Sequence, residues 1–191
     1  AAWAELRLRQ MPTLYHLKRD GMKAAGPTAQ VLILGASQAN QGLDPREWPV
    51  PAYNVACVGQ DAYYDAQLFE AWLPKLPALK AVVVAISYVS LDSSLAETPE
   101  TWRSFAYSQS FDIPNALLNQ RWDLRNWSAL ALIEPWPALK LARAGFSDPN
   151  AVSLTAQGFE SMEPLEEDLI EFKMNGLTAG KRVRYHQGIM K

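Results

Sequence analysis

The chain has 191 residues, of which 49% are hydrophobic and 20% charged, and its 18 basic and 20 acidic side chains leave a net charge of −2. That composition excludes disorder over the whole length, suits one domain, and offers no global basic field to collect phosphates, so it argues against a nucleic-acid partner. The single cysteine, Cys57, excludes an internal disulfide and a multi-cysteine zinc site.

Residues 1–26 form a helical or irregular lead-in that ends at Gly26-Pro27. Val31-Leu32-Ile33-Leu34 is a continuous apolar run closed by Gly35, the pattern of a buried parallel strand. A small, polar stretch follows from Ala36 to Gly42, and Asp44-Pro45 opens a new turn or helix. Residues 52–58 form a second expected strand, ending at Gly59. A helix is expected over 62–73, with Tyr64, Leu68 and Trp72 spaced by four on one face, until Pro74 and Pro77 break it. Residues 79–86 contain Val82-Val83-Val84, the strongest strand signal in the chain. Beyond Ser94 no comparable strand occurs. Residues 115–144 read as largely helical, 163–168 are acidic, and 178–191 are basic and helix-like.

The order strand, loop, strand, helix, strand points to an α/β fold: an open, mostly parallel sheet with flanking helices and right-handed crossovers. Ligands of such sheets bind outside the carboxyl ends of the strands. Residues 35–40, 59–61 and 87–90 occupy those ends. Among them Gly35-Ala36-Ser37-Gln38 carries the chemistry. A serine there presents its hydroxyl at the strand edge, small neighbours admit a substrate carbonyl, and a helix starting at Ser37 would aim free N–H groups at the same point. The glycines lack the Lys-Ser/Thr of a phosphate loop and the inner glycines of a dinucleotide fingerprint.

These residues resemble the SGNH (GDSL-like) hydrolases and acyltransferases. Leu32-Ile33-Leu34-Gly35-Ala36-Ser37 is similar to the family's first block, and Tyr53-Asn54-Val55-Ala56-Cys57-Val58-Gly59-Gln60 to its second. Val82 to Ile86 is similar to the strand before the third block. Residues 31–91 look most like the membrane-associated branch that acts in cell-envelope polysaccharide acetylation and teichoic-acid D-alanylation. The resemblance implies that Ser37 is the nucleophile and that the backbone N–H groups of Ser37 and Gly59 hold the oxyanion. Gln38, Asn54, Gln60, Ser87 and Tyr88 are then candidates to line the site. It implies no cofactor and no metal.

The third block reads Ser87-Tyr88-Val89-Ser90 and lacks the family's Asn, as the teichoic-acid branch does. The family's base comes late, as Asp-x-x-His. Thr13 and Val183 stand three residues before His16 and His186, so neither histidine fits. A flavodoxin-like sheet of this family has about five strands, and three are read here. The chain is therefore expected to be an N-terminal part: a lead-in over 1–30 that follows a membrane anchor, an SGNH-like core over 31–94, and a mostly helical continuation over 95–191 with the final strands absent. An incomplete sheet should leave the third strand with an exposed apolar edge.

By the resemblance, the protein would be a serine acyltransferase or esterase acting on an acylated glycan or cell-envelope polymer. It would be extracytoplasmic or periplasmic and membrane-anchored in its parent, with a membrane-protein partner. The rival readings are a non-catalytic SGNH-like module that binds glycan or assembles a complex, and an unrelated flavodoxin-like binding domain that gives Ser37 no role. Cys57 is expected to be a small buried residue. Trp102, Trp122, Trp127 and Trp136 are expected to pack helices on the sheet and to be exposed if part of the fold is absent, with a sugar-stacking platform or interfacial belt as the alternative.

Overall fold

In the computed structural model, which describes residues 2–10, 13–87, 94–115, 123–132, 143, 145 and 154–160, the three apolar runs form three strands. They are β1 (Val31–Gly35), β2 (Ala52–Asn54) and β3 (Ala81–Ala85). The order is β2-β1-β3, and both pairings are parallel. Val31 lies opposite both Ala52 and Ala81, and Gly35 lies opposite Ala85. The carboxyl ends of the strands therefore share one edge of the sheet.

The central strand needs apolar residues on both faces because both are covered, and all five of its residues are buried. Leu32 and Leu34 enter the larger core with Tyr53, Tyr64, Leu68, Trp72 and Tyr107. Val31 and Ile33 turn to a smaller cluster with Ala39, Ala52 and Ala56. Full burial of such a leucine or isoleucine contributes about 1.5–3 kcal/mol.

The described helices are α1 (Ala2–Gln10), α2 (Leu14–Ala25), α3 (Ser37–Gly42), α4 (Ala62–Trp72), α5 (Trp102–Phe111) and α6 (Ala129–Leu132). Tyr64, Leu68 and Trp72 are buried on α4, as their spacing requires. The Asp61 carboxylate caps α4 by accepting the Tyr64 N–H at 3.0 Å, and its other oxygen accepts the Leu95 N–H at 2.7 Å. The Glu5 carboxylate of α1 caps α6 from a distance in sequence, accepting the N–H groups of Ala129 and Leu130 at 2.9 Å each. Asp44 accepts the Arg46 N–H at 2.9 Å and starts a 3-10 turn over Pro45–Glu47, where a turn or helix is expected.

β2 is shorter than the sequence suggests. The chain stays beside β1 a little longer, through Val55 N–H to Ile33 O at 2.9 Å and Cys57 N–H to Gly35 O at 3.3 Å. The Asn54 side-chain oxygen accepts the Ala56 N–H at 3.0 Å, and this local turn ends regular pairing. Of 115–144, the described part holds the 3-10 turn Leu124–Asn126 and α6. The acidic 163–168 and basic 178–191 stretches lie outside the described residues.

The two outer strands end differently. Residues 154–160 close the edge of β2, where Asn54 N–H donates to Gln157 O at 2.9 Å. Lys18, with no exposed surface, donates from Nζ to Asn54 O at 3.1 Å and Gly158 O at 2.5 Å. Burial lowers its pKa to about 8. β3 pairs on its far side with no strand among the described residues, and its Val82, Val84 and Ile86 are exposed by 36%, 42% and 64%. An apolar groove of about 390 Å³ runs between them and Ala66 and Phe69 of α4. The sequence leads one to expect an exposed apolar edge on the third strand; the exposed residues alternate along β3 and so lie on one of its faces.

Candidate active site

Gly35 makes the strand end possible. Its φ is +128°, and a Cβ there would lie 2.8 Å from the Ala85 carbonyl oxygen and 3.2 Å from the Ala39 and Ala85 methyl carbons. Only glycine fits this conformation and this approach of β1 to β3. The chain then passes through Ala36 into α3, with Ser37 as its first residue. Ala36 offers no capping side chain. The N–H groups of Ser37 and Gln38 have no acceptor inside the helix and none among the described residues. Ser37 is half-buried, and its hydroxyl has no hydrogen-bond partner among the described residues. Gln38 is exposed.

The segment after β2 is tied to the same end. Gly59 has φ +73° and is half-buried, with Glu100 and Arg103 at the start of α5 close to where a Cβ would stand. Arg103 pairs with Glu100 at 2.8 Å and donates to the Tyr15 hydroxyl at 3.3 Å. Gln60 is buried. Its amide donates to Asp65 at 2.6 Å, and its side-chain oxygen accepts the Tyr107 hydroxyl at 2.8 Å. Burial pushes the Asp65 pKa up, and hydrogen bonds from Gln60 and the Gly35 backbone oppose that rise in part. Asp65 thus binds both the end of β1 and the segment after β2. Ser87 is half-buried, two residues beyond β3, and Tyr88 lies outside the described residues.

Asn54 is fully buried and committed to the protein. Its Nδ2 donates to Ala39 O at 2.7 Å and Leu43 O at 2.9 Å, which holds α3 against β2. Asn40, one turn after Ser37, donates to the Glu160 carboxylate. Cys57 is buried, and desolvation raises its thiol pKa to about 11, so it is an inert core group.

Asp65, Tyr107, Lys18 and the Glu100–Arg103 pair belong to no motif of the sequence. Asp65 had a local signal, since it follows Tyr64 on the buried side of α4. Tyr107 meets Gln60 across 47 positions, a distance no local pattern bridges.

Among the described residues, no imidazole or carboxylate hydrogen-bonds to Ser37. His16 lines a separate polar cleft with Arg19 and Asp112, and His186 lies outside the described residues. Among the described residues there is no cluster of three potential metal ligands, and no helix is long and apolar enough to cross a membrane. The chain matches no protein-family model, no curated protein and no solved structure.

Proposed function

We propose that the protein is an SGNH-like serine acyltransferase or esterase with Ser37 as its nucleophile. The observation that carries this reading is the position of Ser37. Its hydroxyl, without a hydrogen-bond partner among the described residues, opens α3 at the carboxyl end of the central parallel strand, next to two N–H groups that lack acceptors among those residues. A hydroxyl used only to cap or turn the chain would bond to the backbone, as Thr13 and Ser94 do here.

In the proposed reaction, Ser37 Oγ attacks the carbonyl carbon of an acyl ester. The hydroxyl proton passes to a base, and the carbonyl π electrons move onto oxygen. The N–H groups of Ser37 and Gly59 hold that oxyanion. Its collapse breaks the ester C–O bond, and the leaving alcohol takes the proton from the conjugate acid of the base. A glycan hydroxyl or water then attacks the acyl-serine and regenerates Ser37. Asp65 and Gln60 act as positioning residues by holding the ends of β1 and β2 in register.

The finer features belong to the same proposal. That no described strand pairs with the far side of β3 supports a flavodoxin-like sheet with further strands beyond β3. The base is then an imidazole outside the described residues. An acylated cell-envelope glycan is the proposed substrate, with an extracytoplasmic, membrane-anchored setting and a membrane-protein partner, all by resemblance.

The test is p-nitrophenyl acetate hydrolysis by the full-length gene product. Ser37→Ala should lower turnover at least about 100-fold, because a serine acting with its base contributes orders of magnitude. The lack of an imidazole on Ser37 among the described residues favours one second reading, a non-catalytic glycan-binding module. Turnover unchanged by Ser37→Ala, or no turnover by a folded full-length protein, would favour that module.

A further inference from the structure

The end of α1, α2, the end of α5 and the segment leading into α6 line a second, polar and open cleft of about 550 Å³. That volume lies within the roughly 300–1,000 Å³ of small-molecule sites. The cleft is separate from the strand ends. Tyr15, Lys18 and Met22 are the buried residues of α2, whereas the cleft takes His16, Arg19 and Asp20 from its more exposed sides.

The lining has the chemistry of a ligand rich in hydroxyl groups. Arg9 and Arg19 supply two guanidinium groups, and Asp20 and Asp112 supply two carboxylates, so their formal charges cancel. Arg19 uses Nε and Nη2 on Asp20 and Nη1 on Ser110 O. Arg9 uses Nε on Glu5 and Nη2 on the Trp127 carbonyl. Each guanidinium has five N–H donors, so both keep some in reserve. The Gln109 amide nitrogen donates to Arg125 O at 2.6 Å, which leaves its side-chain oxygen as an acceptor. The Asp112 carboxylate accepts no hydrogen bond among the described residues. Its backbone sits in the left-handed region at φ 58°, where it ends α5. Beside these groups stands Trp127, 55% exposed.

We propose that this cleft binds a neutral saccharide, with one sugar ring stacked on Trp127 and its hydroxyls held by Arg19, Gln109 and Asp112. A sugar hydroxyl both donates and accepts, which suits interleaved guanidinium, amide and carboxylate groups. The C–H face of the ring suits an exposed indole. Charge balance decides against a phosphate or a polyanion, because Asp20 and Asp112 would face it. The guanidinium groups decide against a metal ion. This assignment stands independently of any role for Ser37.

Saturation-transfer NMR on the full chain tests it, with cellotetraose, maltotetraose and chitotetraose as probes and inorganic phosphate as the charged comparison. At least one oligosaccharide should receive transfer, and titration should give millimolar or tighter binding. Trp127→Ala should weaken that binding tenfold or more. Asp112→Asn tolerates the left-handed backbone and serves as a second variant, expected to weaken binding several-fold with an unchanged circular dichroism spectrum. No transfer to any of the three, binding unchanged in both variants, or preferential binding of phosphate would each overturn the proposal.

Discussion

Gly35→Ala tests the strand-end geometry on which the site depends. A methyl group there would meet the Ala85 carbonyl oxygen at 2.8 Å and the methyl carbons of Ala39 and Ala85 at 3.2 Å. None of these is the tip of a flexible side chain. Ala85 is paired with Gly35 in the β1–β3 ladder, and Ala39 sits in α3. Relief therefore requires parting two strands or displacing the helix that carries Ser37. The φ of +128° adds strain of about 1–3 kcal/mol for a residue with a side chain. Overpacking adds about 1–3 kcal/mol. A loss of about 3–5 kcal/mol is expected, a large share of the roughly 5–15 kcal/mol that holds a domain folded. Urea denaturation followed by far-UV circular dichroism at 25 °C measures it. Gly42→Ala is the internal control, since a Cβ there meets nothing within 4 Å. That change should be neutral or stabilise by up to about 1 kcal/mol. A Gly35→Ala protein as stable as the Gly42→Ala protein would refute the packing argument.

Three further outcomes are expected. Burial alone would raise the Glu5 pKa, but hydrogen bonds from Leu130, Arg9, Ala129 and Ser128 outweigh it and hold the carboxyl at about 2. Its stabilising effect is therefore complete above the ordinary value of 4.5 and lost as pH falls towards 2. Glu5→Gln should cost about 1 kcal/mol at pH 7, discounted for partial exposure, and clearly less at pH 2, as measured by urea midpoints. Lys18 releases its proton near pH 8 in the folded chain against 10.5 ordinarily. The unfolded chain binds the extra proton between those values, so stability should gain a rising contribution there, and Lys18→Met should remove it. A difference between the two proteins that does not vary with pH would contradict this. Val84→Lys should reduce binding of the apolar dye ANS and self-association by light scattering, because it places a charge on the exposed apolar face of β3. Its effect on stability should stay within about 1 kcal/mol, since Val84 is already 42% exposed.

The sheet was legible because buried parallel strands need uninterrupted apolar residues, and Val31 to Leu34 and Val82 to Val84 provide them. The extent of β2 was not legible. Val55, Ala56 and Cys57 are fully buried by packing, and burial looks the same in sequence whether or not a residue is in a strand. α5 was hidden for a different reason. Its buried face includes Ser104 and Ser110 among Phe105, Tyr107 and Phe111, so the apolar stripe is broken. Trp102 and Trp127, expected to pack helices on the sheet and to be exposed if part of the fold is absent, are 45% and 55% exposed, while Trp122 and Trp136 lie outside the described residues. The place of Ser37 followed from the small residues that close β1. The network of Gln60, Asp65 and Tyr107 beneath it depends on contacts between distant parts of the chain, which residue spacing does not reveal.

The central claim is that Ser37 is a nucleophile. It is tested most directly by treating the full-length gene product with a fluorophosphonate probe and locating the adduct by peptide mass spectrometry. The account predicts one adduct, on the peptide that carries Ser37, and its loss in Ser37→Ala. Labelling that persists in that variant, or a Ser37 peptide that stays unmodified in a folded protein, would contradict it.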